Sequence, residues 1–417
     1  MKYARKALPD VPPGGVTAGI DWASADHAVC VVDAAGRAVT RFTVPHSAAG
    51  LADLVRRLRK AGAAEAAIER GDGPVVGALL DAGITTVVIT PNQVKNLRSR
   101  YGSAGNKDDR FDAFVLADTL RADRGRLRPL EPDSPATVTL RSAVRARRDL
   151  VAHRVAACNQ LRAHLQNCFP GAVGLFAELD SPVSLAFLAR FDCQDRADWL
   201  TARRTAAWLK SQGYCGRQTP EALHAKLDRA PRGASGDHGA AQAHVTRALF
   251  AVLASLVTQI RALEALIAEQ LALHADAHVF TSLPRSGTVR AARLLAEIGD
   301  CRGRFPTPES LICAAGVAPS TRQSGKHKAV TFRWAADKQL RDAVCDFAGD
   351  SRRASPWAAR LYNDAAARGK DHAHAVRIVA RAWLYVIWHC WQDHTAYDPA
   401  LHKALQRVLA EQKTAAA

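Results

Sequence analysis

The chain has 417 residues, with 57 Lys and Arg against 40 Asp and Glu, a formal charge of +17 and a pI near 9.8. That length exceeds a single core and predicts two or three domains, and the basic excess makes polyanions the natural partners. Nine cysteines without a CxxC pair argue against a zinc site or a disulfide framework. The opening MKYARKALPDVPPGG lacks a signal-peptide core and no later stretch of membrane-spanning length is free of charge, so the expectation is a cytoplasmic bacterial protein with no membrane partner.

After the Pro/Gly-rich leader, VTAGIDWAS, HAVCVVD and RAVTRFTVP read as three short strands separated by turn residues. SAAGLADLVRRLRKAG follows as a helix, EAAIER as a strand, PVVGALLDAG as a helix and ITTVVITP as a strand. A three-strand meander followed by alternating helix and strand is the order of a ribonuclease-H-like (RuvC-like) α/β domain with its later strands parallel, here assigned to residues 1–125. Residues 126–276 are assigned to a helical linker and oligomerisation region. In it Val144, Val151, Cys158 and Leu165 recur every seven residues, while Arg147 and Arg154 interrupt the other seam and are candidate nucleic-acid contacts. Leu249, Leu253, Leu256, Ile260, Leu263 and Ile267 alternate spacings of four and three. That pattern fits an antiparallel arm, an oligomerising coiled coil or ordinary bundle helices.

Residues 277–417 are assigned to a mostly helical C-terminal domain. A turn containing Pro284 and Gly287 leads into a helix with Ala291, Leu294, Leu295 and Ile298 on one side, resembling the second half of a helix-hairpin-helix that presents backbone N–H groups to phosphate. Trp383, Trp388 and Trp391 fall within an apolar helix, which makes them core rather than a stacking platform for bases.

Two constellations carry chemistry. Phosphodiester cleavage uses hard divalent cations that prefer carboxylate oxygens, so several acids must converge. Asp21 and Glu69 end the first and fourth predicted strands, which are neighbours in such a sheet; Asp109 and Asp112 stand three apart on a predicted helix and share a face, with Asp108 pointing elsewhere. Each acid alone reads equally as a solvated carboxylate. Two acids ending apolar strands are costly without a cation. The second constellation is Ser324-Gly325-Lys326, with Arg322 and Lys328 close by. A serine that attacks a phosphodiester needs room, a flexible backbone and cations to offset developing charge; Ser320 competes for the role, and phosphate contact alone is the alternative for the whole loop.

GIDWAS, the IER strand end, TPNQVKNLR, NKDDRFDA, LPRSGTVRAARLLAEIGDCRGRF, GVAPSTRQSGKHK and LRDAV together resemble the DEDD transposases of insertion sequences of the IS110 family, which include the Piv-type DNA invertases. The resemblance implies a RuvC-like domain in which Asp21, Glu69, Asp109 and Asp112 hold Mg²⁺ (or Mn²⁺), joined through a coiled coil to a transposase domain whose catalytic serine matches Ser324. It implies a covalent phosphoserine intermediate, double-stranded donor and target DNA, a noncoding bridge RNA that pairs with both, and a homo-oligomer between dimer and tetramer with sites composed from two subunits. Arg322, Lys326, Lys328, Arg147 and Arg154 become candidate nucleic-acid contacts. The rival activities are a Piv-like site-specific invertase, a junction-resolving nuclease that uses metal-activated water, and a basic nucleic-acid-binding scaffold. Two departures stand out: Arg285 follows Pro284 where the family has Pro-Gly-x-Gly, which predicts an altered turn, and Arg70-Gly71 follow Glu69 where a small residue and Thr or Ser are usual.

Overall fold

A computed structural model describes residues 6–101, 108–325 and 327–416. The contacts divide the chain into two units, one of Met1–Asp133 with Cys301–Ser310 and one of Ser134–Asp300 with Leu311–Ala417.

The first unit is built on the expected meander and crossovers. Strands β1 (Val16–Trp22), β2 (Asp26–Asp33) and β3 (Ala38–Pro45) are followed by helix α1 (Ala48–Lys60), β4 (Glu65–Ile68), α2 (Pro74–Asp81), β5 (Thr85–Val88), α3 (Pro91–Arg98) and α4 (Asp109–Ala122). The sheet order is β3-β2-β1-β4-β5, antiparallel across β1, β2 and β3 and parallel across β1, β4 and β5. Strand side chains alternate between faces. Ala18, Ile20, Ala66 and Ile68 accordingly join Leu54, Leu58, Val75 and Leu79 of α1 and α2 in one buried layer, while Ala67 and Val87 pack with Val94, Val115, Leu116 and Leu120 of α3 and α4 in the other.

Helix α4 lies directly on β1. A side-chain carbon at Gly19 would overlap the Ala113 carbonyl oxygen and the Ala117 amide nitrogen, so only glycine admits the helix backbone here. Beside it the buried Thr17 hydroxyl donates to the Ala117 carbonyl at 2.9 Å. Glu65, at the start of β4, is fully buried and receives Arg124 at 2.6 and 3.0 Å, while Arg124 Nε donates to the Pro9 carbonyl at 2.9 Å. This ion pair ties the leader and the segment after α4 to the sheet.

In the second unit α5 (Pro135–Cys168) is followed by four short helices, α6 (Pro182–Arg190), α7 (Gln194–Ala197), α8 (Ala202–Ser211) and α9 (Pro220–Arg229), then by the long α10 (Gly236–Leu273). The pairs Thr137 with His274 at 2.8 Å, Arg147 with Glu264 at 2.6 Å and His164 with Thr246 at 2.9 Å show α5 and α10 running antiparallel. Leu253, Ile260 and Ile267 of the heptad seam are buried; Leu249, Leu256 and Leu263 are half-buried. Among the described residues α10 alone could cross a membrane by length and composition, yet its apolar row packs on α5 and Arg261, Glu264 and Glu269 punctuate its second half. The short helices enclose Phe169, Phe176, Phe187, Phe191 and Trp208.

The chain continues through α11 (Ala277–Thr281), α12 (Gly287–Ile298), α13 (Pro308–Ala314), the hairpin of β6 (Ser320–Ser324) and β7 (His327–Thr331), and α14 (Lys338–Ser351), α15 (Pro356–Ala367), α16 (His372–Asp393) and α17 (Lys403–Ala416). Trp383 and Trp391 are fully buried, their indole N–H groups donating to Ser351 Oγ at 2.9 Å and the Gly299 carbonyl at 2.8 Å; they are core, as expected. The altered turn expected at Arg285 is not what the chain adopts. Arg285 takes φ +56° and Gly287 φ +58°, so an arginine occupies a left-handed position usual for glycine. Asp350 of α14 holds its guanidinium at 2.9 Å and offsets the strain.

Arg124→Ala would strand Glu65 inside the first unit. The expected loss is about 3–5 kcal/mol of unfolding free energy, read as a lowered denaturant midpoint of the full chain.

Candidate metal centre and serine hairpin

Strand alternation sets the first site. On β1 the residues facing α4 are Thr17, Gly19 and Asp21, and on β4 they are Glu65, Ala67 and then Glu69 just beyond its last residue. The parallel register pairs Ile20 with Ile68, so Asp21 and Glu69 leave the sheet side by side at the same end. Helix α4 begins there, with Asp108 as its N-cap accepting the Arg110 N–H at 3.2 Å, and Asp109 and Asp112 both in its first turn. Carboxylate oxygens of Asp21, Asp109 and Asp112 all lie within 4.8 Å of one another. Asp112 is buried, Asp21 partly so, and Asp109 is exposed. Glu69 is outside that close group but near enough that its charge, with that of Asp21, acts on Arg98.

Arg98, the last residue of α3, is the site residue that sequence reasoning missed. Its guanidinium clasps both oxygens of Asp112, and this hydrogen bonding holds it above its ordinary pKa. The Asp112 side chain is 2% exposed and that of Arg98 26%, so a buried carboxylate is compensated by a cation that still reaches solvent. Nothing in TPNQVKNLR marks this arginine, because its partner is fixed only by how α3 packs on α4. Asp118, the other buried acid of α4, belongs elsewhere: it accepts from Tyr101 at 2.6 Å and Arg121 at 2.7 Å, and burial with that partner pushes the Tyr101 hydroxyl up to about 12. After Glu69, Arg70 binds Asp72 at 2.9 Å and covers the Trp22 ring at 4.9 Å.

Three carboxylates converging at a strand end and a helix start, with one arginine among them, leave negative charge that suits a hard divalent ion. Asp21, Asp109 and Asp112, with Glu69 beside them, are the residues that would hold it.

The second site is in the other unit. Ser324 ends β6 and is exposed, with Gly325 at φ +56° after it and His327 directly opposite across the hairpin. Alternation puts Ser320, Arg322 and Ser324 on one face with His327, and Lys328 on the other. Lys326, and Asn106 and Lys107 of the NKDDRFDA motif, lie outside the described residues. Arg147 and Arg154 already hold carboxylates, Glu264 at 2.6 Å and Asp180 at 3.0 Å.

A mixed sheet carrying converging acids, on a strongly basic chain, accords with a protein that acts on nucleic acid. Two family models match it: a transposase model of the DEDD IS110 type over residues 18–170, and the transposase IS116/IS110/IS902 family over residues 277–363. The chain belongs to the IS110 family of transposases. It is 32% identical to the protein designated as the transposase of the IS117 mini-circle of Streptomyces coelicolor, across 92% of this chain and 95% of that one. To the 42 kDa protein of insertion element IS900 of Mycobacterium paratuberculosis it is 29% identical, across 92% and 98%. Among solved structures, RuvC of T. thermophilus in complex with a Holliday junction substrate matches 28% of this chain and 99% of its own at 21% identity and a TM-score of 0.23; at that score the likeness adds nothing to the fold read from the strand order. Family membership carries DNA cleavage and recombination, with DNA as the partner, and the DEDD character points to a divalent metal.

Arg98→Ala removes the cation that competes for Asp112. Mn²⁺ affinity measured by calorimetry should rise severalfold, while the metal-free protein melts at a lower temperature; unchanged affinity would show that Arg98 does not share the site. Asp112→Asn should remove the bound ion.

Proposed function

We propose that the protein excises and integrates its own element by DNA strand exchange through a phosphoserine intermediate at Ser324. The observation that carries this reading is the gathering of Asp21, Asp109 and Asp112 within 4.8 Å at the α4–β1 contact. A divalent ion, Mg²⁺ or Mn²⁺, held there would neutralise charge on the phosphodiester oxygens. Ser324 is exposed, beside a glycine and on one hairpin face with Arg322, which suits attack on a bulky anionic strand.

Ser324 Oγ forms a bond to phosphorus as the P–O bond to the departing strand breaks. His327, the imidazole opposite, takes the hydroxyl proton and releases it to solvent, from which the departing strand oxygen takes one. An incoming strand hydroxyl then displaces Ser324 in the reverse sense, so the ester energy is retained and no net hydrolysis occurs. Arg322, on the Ser324 face of the hairpin, supplies a cation along the strand. A noncoding bridge RNA as guide rests on the family resemblance, and the charge of +17 accords with more than one nucleic-acid partner. The half-buried Leu256 and Leu263 support self-association through α10.

Ser324→Ala should abolish the covalent protein–DNA adduct on denaturing gels while gel-shift binding persists; an adduct of undiminished yield removes Ser324 from the role. His327→Ala should slow adduct formation about a hundredfold. Leu256→Asp should lower the mass seen by light scattering, and an unchanged mass assigns that row to packing within the chain.

A further inference from the structure

The hairpin that bears Ser324 runs, through Phe332, into Trp334, which is 81% exposed. No packing requirement accounts for so large an aromatic surface in water. Among the described residues its one aromatic neighbour is Phe332, edge-on at 4.9 Å, and Phe332 is itself flanked by the guanidinium groups of Arg341 at 4.6 Å and Arg377 at 4.9 Å. Cations over the inner ring fix it in place and leave the indole as the presented face.

Next to this pair is a cleft of about 550 Å³ at the base of the hairpin, between Pro319, the end of β7 and the first half of α16. Its walls carry Arg333, Lys370, His374, Arg377 and Arg381 and no carboxylate. Among the described residues none of these five makes an ion pair, and Arg333 Nε is buried without a hydrogen-bond partner. The adjoining cleft of about 680 Å³ shares Phe332 and Arg377 but differs in kind. There Arg290 is already bound by Asp346 at 3.0 Å and Asp350 at 2.7 Å. Uncompensated cations in a cleft, one with an unmet donor, call for an anion from outside the chain.

An aromatic face beside a cation-lined cleft matches one nucleotide unit, a base on the ring and its phosphates in the cleft. Duplex DNA hides its base faces, so the nucleotide must be unpaired. From Ser324 to the hairpin base at Ser320 is four residues, roughly 13 Å at about 3.3 Å each. That is roughly four stacked nucleotides of a strand. We propose that Trp334 stacks an unpaired DNA base within a few nucleotides of the phosphodiester presented to Ser324, with Arg333, Arg377 and Arg381 binding that strand's phosphates. The inference rests on the reading of this chain as a DNA strand-exchange protein, and does not depend on Ser324 being the nucleophile.

The test uses the full chain and a short single-stranded oligodeoxynucleotide bearing a fluorescent aminopurine. The wild type should bind it with quenched emission. Trp334→Ala should lose the quench and bind roughly tenfold more weakly, Trp334→Phe should keep most of both, and Arg377→Gln with Arg381→Gln should reduce the salt dependence of binding while the quench remains. Trp334→Ala removes an exposed side chain, and an unchanged circular dichroism spectrum confirms its fold. Binding and quench equal to wild type in that variant overturn the assignment, as does an RNA of the same sequence bound as tightly with the same loss. Ser324→Ala should stack the base normally. A stacking site without any adduct in the wild type would therefore sink the phosphoserine reading and leave this one standing.

Discussion

The contact of α4 with β1 is the constraint on which the first unit depends. It exists because three consecutive helix-facing positions of one strand do three different things. Thr17 bonds to the helix backbone, Gly19 gives way to it, and Asp21 meets its first turn. With the helix seated so closely, Asp109 and Asp112 are delivered to Asp21 without any loop having to position them. The parallel neighbour β4 brings Glu69 to the same edge by register alone. The acids are thus fixed by main-chain geometry, which is stiffer than any side-chain scaffold.

Charge is distributed by the same logic. Each buried acid of the first unit has a cation or donor, since an isolated carboxylate there would be prohibitive. Glu65 with Arg124, and Asp118 with Arg121 and Tyr101, are closed arrangements away from the edge where Asp21 and Glu69 leave the sheet, and serve the fold. Asp112 with Arg98 sits among further acids and beside solvent, which sets it apart from those two arrangements. In the second unit the pattern inverts, and the cleft at the hairpin base carries cations that no acid offsets.

Much of this was legible in the sequence. Alternation and turn residues specify the five strands in order, and the spacing of Asp109 and Asp112 places both on one helix face. The apolar surroundings of Trp383 and Trp391 mark them as core. What could not be read depends on distant partners. Arg98 has no local signature, because Asp112 reaches it only through tertiary packing. Trp334 closes the alternating, strand-like run AVTFRW, but the strand stops at Thr331, so the alternation gives no hint of where the indole lies. The heptad run of α10 does not say which of its residues are covered: Leu253 joins the core under the short helices, whereas Leu256 is half-buried. Arg285 misleads most: its side chain argues against a left-handed turn, and Asp350, sixty-five residues on, restores it.

Both strands of the hairpin bearing Ser324 are largely exposed, and a two-stranded ribbon without a core behind it has little stability of its own. If Ser324 is the nucleophile, its alignment comes from the DNA as much as from the protein. A sequence that holds the ribbon only loosely can then occupy the enzyme and still not be cut, because the ordering free energy is supplied only by a good fit. Fidelity would lie in the reaction step rather than in occupancy, and the sites a transposase is found on would be a larger set than the sites it rearranges.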